Sequence, residues 1–200
     1  NNFNTKVEEV PNNLLEEMNK EKLTPLKHQE PIIRKIKDYY LGLENISNFE
    51  ENDRSGKLIL PCGYGKMYIS LFYLNDSDWN DVVILVPSLI LSDQYISTAK
   101  QILSGWEIIN FDGNNKTLHE SDKRLIISTY NSANKLEIEP DFVIYDEAHH
   151  TCVISNQEDS LFRNTLSLFP DAHKLFMTAT EKIVSYGEND KIKCKHLERF

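Results

Sequence analysis

The chain has 200 residues, long enough for one domain to bury a core without disulfide or metal staples. Its 22 Lys and Arg stand against 31 Asp and Glu, and the resulting formal net charge of -9 excludes a general basic footprint, so any nucleic-acid contact is local or shared with another domain. The three cysteines, Cys62, Cys152 and Cys194, lie far apart without CxxC or Cys/His ligand spacing, which points to a reducing compartment and no structural zinc.

The start, NNFNTKVEEV, has neither the basic flank nor the apolar stretch of a signal peptide, and no apolar run reaches the roughly 20 residues that span a bilayer. A soluble, intracellular chain is expected, with no membrane partner and with cytoplasm or nucleus left open. It begins without Met and ends in the charged Lys193 to Phe200, so it reads as a fragment. Between Leu14 and Leu41 the apolar residues Ile32, Ile33, Ile36, Tyr39 and Tyr40 fall at helical spacing, with breaks at Pro25 and before Pro31. Two helical segments or one bent helix are predicted there. A polar linker runs from Glu44 to Gly56. Then come short apolar runs at Lys57 to Leu60, Asp81 to Val86, Trp106 to Ile109, Leu125 to Ile127, Phe142 to Tyr145 and Lys174 to Met177. They are continuous rather than alternating, as in strands buried on both faces of a parallel sheet. Helix-like segments separate them, clearest at Lys66 to Tyr73, Leu89 to Leu103 and Ser160 to Leu168. The pattern implies an α/β fold, a mostly parallel central sheet with helices on both faces.

The residues just after each run carry the chemistry. The first run exits into Pro61-Cys62-Gly63-Tyr64-Gly65-Lys66, the second into Pro87-Ser88, the fourth into Ser128-Thr129-Tyr130, the fifth into Asp146-Glu147-Ala148-His149-His150, and the sixth into Thr178-Ala179-Thr180. In a parallel sheet these exits share one edge, where open α/β sheets bind ligands. Gly63 and Gly65 permit a backbone that turns amide N–H groups around phosphate oxygens, and Lys66 would add its ammonium. The strict GxxxxGK[ST] pattern fails at both ends, with Leu60 and Met67, and a plain glycine turn feeding a helix remains open. Asp146 and Glu147 leave a buried run together. A metal–nucleotide site tolerates such a pair, Asp146 holding Mg²⁺ through water and Glu147 polarising the attacking water. An ordinary solvated acidic turn is the alternative.

In this order LPCGYGKM, VPSLILSDQ, ISTYNSA, VIYDEAHH and FMTAT resemble motifs I, Ia, a later Ia/Ib-region motif, II and III of superfamily 2 helicases and translocases. DEAHH with PCGxGK is most similar to the restriction-enzyme and repair-type branch and its relatives in large DNA viruses. The resemblance runs from about Leu23 to Thr180. It implies a RecA-like P-loop NTPase domain over residues 56–181, preceded at 1–55 by a helical segment with a Q-motif-like region and succeeded at 182–200 by a linker or truncated continuation. It implies an ATP hydrolase with ATP and Mg²⁺ as cofactors, the DEAH-type first half of a motor on DNA more than RNA, with a second RecA-like domain C-terminal to it.

Residue by residue, the resemblance assigns Gln29 to the adenine edge, whose donor and acceptor suit an amide. The residues Pro61, Cys62, Gly63, Tyr64, Gly65, Lys66 and Met67 become the phosphate loop, Asp146 the Mg²⁺ residue and Glu147 the water-orienting base. His149, Thr178 and Thr180 couple hydrolysis to motion, and Ser88, Thr129 and Tyr130 touch a nucleic-acid backbone. Gln29 also reads as a solvated helix residue, His149 as a turn histidine, and the hydroxyls as helix caps. Met67 departs from the pattern, since a thioether is a poor ligand for a hard cation. That departure supports a second expectation, a nucleotide-binding pseudo-ATPase scaffold. A small-molecule phosphotransferase is disfavoured by DEAHH and TAT.

Overall fold

The computed structural model describes residues 23–42, 55–112, 121–151, 164–180 and 195–199. Its strands are β1 (Ser55–Ile59), β2 (Asp81–Val86), β3 (Glu107–Phe111), β4 (Arg124–Thr129), β5 (Phe142–Tyr145), β6 (His173–Thr178) and β7 (Lys195–Arg199). They form one seven-stranded sheet in the order β3-β4-β2-β5-β6-β1-β7, and every pairing is parallel. The α-helices are α1 (Glu30–Tyr40), α2 (Lys66–Asn75) and α3 (Leu89–Ile102).

The continuous apolar runs are explained by burial on both faces. Along β2, Val82, Ile84 and Val86 enter one core cluster while Val83 and Leu85 enter the other. Phe142 and Ile144 of β5 are separated in the same way from Val143 and Tyr145. Successive strand residues point to opposite faces, so a strand covered twice has no polar position to offer. Among the described residues all three α-helices pack on the first face, through Ile36, Leu71 and Ala99 among others. The second face is covered by short 3₁₀ turns and loops, including Ala133, Leu136, Ala148 and Phe169. Of the helix expected at Ser160 to Leu168, residues 164–168 are described and only Asn164 among them is helical, the rest forming a turn; 160–163, and any helix before Leu23, lie outside the described residues.

The segment containing α1 is joined to the sheet. Pro31 in the first turn and Lys37 in the last suit a helix start and end. The Tyr39 hydroxyl donates to the Ser55 carbonyl at 2.9 Å and the Tyr40 hydroxyl to the Lys174 carbonyl at 2.6 Å. At the far end of the sheet from the loops of interest, Arg124 clamps Asp81 through Nε at 2.6 Å and Nη2 at 2.7 Å. One difference from the sequence reading is β7. Residues Lys195–Arg199, expected in a linker or continuation, pair with β1. Five residues so rich in charge carry no apolar periodicity, and only the unpaired edge of β1 makes a strand of them.

Candidate nucleotide site

The C-terminal ends of β1, β5 and β6 bring together the residues that the sequence marks. β1 passes through Leu60 into the glycine loop, where Gly63 and Gly65 take left-handed φ values of 79° and 87°. Only glycine adopts these cheaply. Gly65 then caps α2, so Lys66 opens a helix whose first amides face the loop. The Lys66 ammonium lies 3.4 Å from the Leu60 carbonyl and 3.7 Å from Glu147 Oε1.

Glu147 is held in an unusual conformation. Its φ is 49°, left-handed for a side chain that disfavours it, and its N–H donates to Asp146 Oδ1 at 3.0 Å. The turn sends the Glu147 carboxylate between two partners, Lys66 on one side and His149 Nδ1 at 3.3 Å on the other. His149 Nδ1 also lies 3.1 Å from Thr178 Oγ1. That hydroxyl spends its one proton on the Thr180 carbonyl at 2.9 Å and accepts from the Thr180 N–H at 3.2 Å. Toward His149 it is therefore an acceptor, which places the proton on Nδ1. A chain of contacts thus runs from Lys66 through Glu147 and His149 to Thr178 and Thr180.

Asp146 is 5% exposed. Burial, the largest influence, pushes its carboxyl up to about 6, opposed by Tyr95 and the Glu147 N–H and reinforced by the Glu147 charge. Met67 is partly buried and packs against the main core rather than lying free in the loop. Its carbonyl accepts the Ser70 hydroxyl at 2.8 Å.

Gln29 is buried at 3% exposure, not solvated. Its Oε1 accepts the Leu26 N–H at 3.0 Å, and its Nε2 lies over Gly65 so closely that a Cβ there would overlap it. Beside it, His28 and Tyr64 meet edge to face at 4.8 Å. His28 carries no signal in the sequence beyond being next to Gln29.

The three positions expected on nucleic acid divide. Ser88 is partly exposed at the sheet edge and caps α3, accepting the Leu91 N–H at 3.3 Å. Thr129 is buried, its hydroxyl 3.2 Å from Ser132 Oγ. Tyr130 is 1% exposed and donates its hydroxyl to the Asp146 carbonyl at 2.8 Å. It is therefore not at an exposed position in this structure: an aromatic ring after an apolar strand continues the core, and its polar tip supports the acidic turn from below. Tyr95 on α3 was not singled out by sequence. Helical spacing with Ser92, Ala99 and Ile102 puts it on the buried face, but its nearness to Asp146 comes from the packing of α3 against the sheet.

Comparison with known proteins places this arrangement. Residues 22–183 match the family described as type III restriction enzyme, res subunit. Over 157 residues the chain is 30% identical to a probable helicase of African swine fever virus, from a Malawi tick isolate, covering 67% of this chain and 18% of the viral protein. The homologue from a Kenyan pig isolate is equally similar, at 30% over 157 residues. The chain therefore spans about 18% of the length of these relatives. Among solved structures, a nuclease-deletion mutant of the type ISP restriction-modification enzyme LlaGI, in complex with a DNA substrate mimic, superposes with a TM-score of 0.62 at 19% identity, covering 89% of this chain and 20% of that one. The Hef helicase domain of Pyrococcus furiosus gives 0.55 at 14% identity, over 93% of this chain and 39% of that one. Among the described residues no helix is long and apolar enough to cross a membrane.

Proposed function

The chain belongs to the type III restriction enzyme res subunit family, with the fold of the first RecA-like domain of superfamily 2 helicases, and from that membership we propose that it is the ATP-hydrolysing half of a helicase or translocase motor. The observation that carries the reading is the run of contacts Lys66–Glu147–His149–Thr178, which joins three strand ends at the edge where such sheets bind ligands. The residues fit a magnesium nucleotide at most positions. The left-handed glycines and the start of α2 suit phosphate oxygens, Lys66 supplies the charge, Gln29 and the His28–Tyr64 pair suit a purine, and Asp146 supplies oxygen for the metal. Met67 does not fit, because its sulfur is a poor magnesium ligand and its partly buried side chain packs against the core.

When bound, Mg²⁺ would neutralise charge on the phosphates. The protein's own part is positional. Lys66 leaves Glu147 for the phosphates, Glu147 then orients and polarises a water, and His149 reports the change to Thr178 and Thr180. DNA is favoured over RNA as the track, supported by the structural neighbour LlaBIII, solved bound to DNA. Of the three expected contacts, Ser88 is the one at a partly exposed position. A second RecA-like domain is proposed C-terminal to this one, supported by the small share of each relative that this chain spans. The proposed domain divisions stay at 1–55, 56–181 and 182–200, although Lys195–Arg199 of the last pair with β1.

Lys66→Ala tests the reading. Titration of a fluorescent ATP analogue should show at least about a tenfold loss of affinity, the scale of a charge-assisted contact; equal dissociation constants for the two proteins would remove Lys66 from the site. The second reading, a nucleotide-binding scaffold without turnover, rests on Met67 alone. It is selected by tight nucleotide binding with no phosphate release in the longer protein, with or without DNA.

A further inference from the structure

We propose that the groove between residues 136–140 and residues 168–172 docks a polypeptide segment of alternating basic and apolar side chains, supplied by the rest of the longer protein. The inference is independent of the nucleotide reading, because the groove lies at the opposite edge of the sheet. Its two walls run into the starts of β5 and β6, the strands whose far ends lead to Asp146 and carry Thr178.

The groove measures about 650 Å³, the size of a cavity that takes a ligand rather than of a packing defect. Leu136, Ile138, Leu168 and Phe169 supply its apolar lining. Glu137, Glu139 and Asp171 line it from exposed positions, and no lysine or arginine does. Lys135, exposed just before the first wall, is outside the lining. Lys174 is buried beside the second wall, its ammonium donating to the carbonyls of Pro170 at 3.3 Å and Ala172 at 3.1 Å.

The first wall sets what the groove fits. Leu136 and Pro140 are buried and Ile138 is half-buried, while Glu137 and Glu139 between them are exposed. That alternation is the pattern of a strand, although residues 137–140 belong to no helix or strand. Among the described residues Glu137, Ile138 and Glu139 make no hydrogen bond or ion pair, through backbone or side chain. Three consecutive residues thus offer amide and carbonyl groups to another backbone, and two carboxylates to cations, beside an apolar floor. A strand-like segment that alternates basic and apolar side chains satisfies all of these at once. A nucleic-acid strand does not, since its phosphates would meet the carboxylates. The longer protein is the source: this chain spans about 18% of its viral relatives, and a segment tethered in the same polypeptide is presented at an effective concentration of about millimolar order. That is enough to hold exposed ion pairs that are weak singly.

The test uses a short capped peptide of alternating lysine and valine, titrated into this chain and into the longer protein, with amide shifts of this chain followed by NMR. The peptide should bind this chain saturably, move the amides of Glu137, Ile138, Glu139, Leu168 and Phe169, and bind more weakly as salt rises. Serine in place of valine in the peptide should abolish saturation. The double variant Glu137→Gln with Glu139→Gln, whose melt should match wild type because both side chains are exposed, should bind roughly fivefold more weakly. The longer protein, its groove already filled, should bind the peptide about tenfold more weakly than this chain does. No saturable binding, shifts confined to another surface, an unchanged affinity in the double variant, or equal binding of the lysine–serine peptide would each overturn the proposal. Equal affinity of the longer protein and this chain would also overturn it, by removing the assigned source. So would sedimentation showing that this chain self-associates through the groove, which would make a second copy the occupant.

Discussion

The amide of Gln29 lies against the α-carbon of Gly65, so closely that the glycine has no room for a side chain. A residue in the segment before the sheet and a residue of the glycine loop therefore set each other's position. Gly63, two residues earlier, has the same left-handed backbone but open space around its α-carbon.

That contrast predicts different costs for one substitution. Gly63→Ala meets only backbone strain and should lose about 1 kcal/mol. Gly65→Ala meets strain and a buried amide together, and should lose more stability and most nucleotide affinity. Adding Gln29→Ala should restore part of the stability of Gly65→Ala but none of that of Gly63→Ala. Urea titrations of the single and double variants check this; additive costs for Gln29 and Gly65 would show that the contact is not felt.

Asp146 is held at a cost that depends on pH. Its folded carboxyl titrates at about 6, above the 3.8 of an unperturbed side chain. Between those values the folded state binds more protons than the unfolded one, so stability falls as pH rises through the window. Asp146→Asn removes this titration. It should stabilise the nucleotide-free chain near pH 8 by at most roughly 3 kcal/mol, the equivalent of about two pKa units, and should have little effect near pH 4. Denaturant titrations at both pH values are the measurement, and a variant less stable at high pH would contradict the sign.

Met67→Thr pulls in two directions. It supplies an oxygen for a hard cation and should strengthen Mg²⁺-dependent nucleotide binding. It also withdraws a side chain packed on the core, at a cost of about 1 kcal/mol for a partly buried position. Affinity with and without Mg²⁺, alongside a melt, separates the two effects. A variant with no added metal dependence would mean that Asp146 alone sets the metal site, or that the site holds none.

Tyr130→Phe should lose about 1 kcal/mol, since the Asp146 carbonyl forfeits a buried hydrogen bond. Binding of single-stranded DNA by the longer protein, and its slope with salt, should be unchanged, because a residue with its ring inside the core offers nothing to a phosphate. A lower salt slope in the variant would return Tyr130 to the surface.

Much of this protein was legible in its order of residues. The runs at Asp81–Val86 and Phe142–Tyr145 are strands with the expected bounds, because burial on both faces leaves the same continuous apolar signal whatever the surrounding fold. The glycines before Lys66 and the acids after Tyr145 marked the edge proposed to bind nucleotide for a similar reason, since left-handed backbone and paired charge at the end of a buried strand each have few other uses. The family emerged from the order of these short stretches, and the match to residues 22–183 agrees with it. Tertiary structure alone decided the rest. Whether Gln29 is solvated or buried depends on a loop more than thirty residues away; whether Tyr130 points out or in depends on what lies beneath β4 and β5; and β7 exists because β1 has an edge to fill. Tyr95 is the clearest case. Helical spacing puts it inside, but only the packing of α3 across the sheet brings it near Asp146, because a local sequence carries the periodicity of an element and not the position of its neighbours.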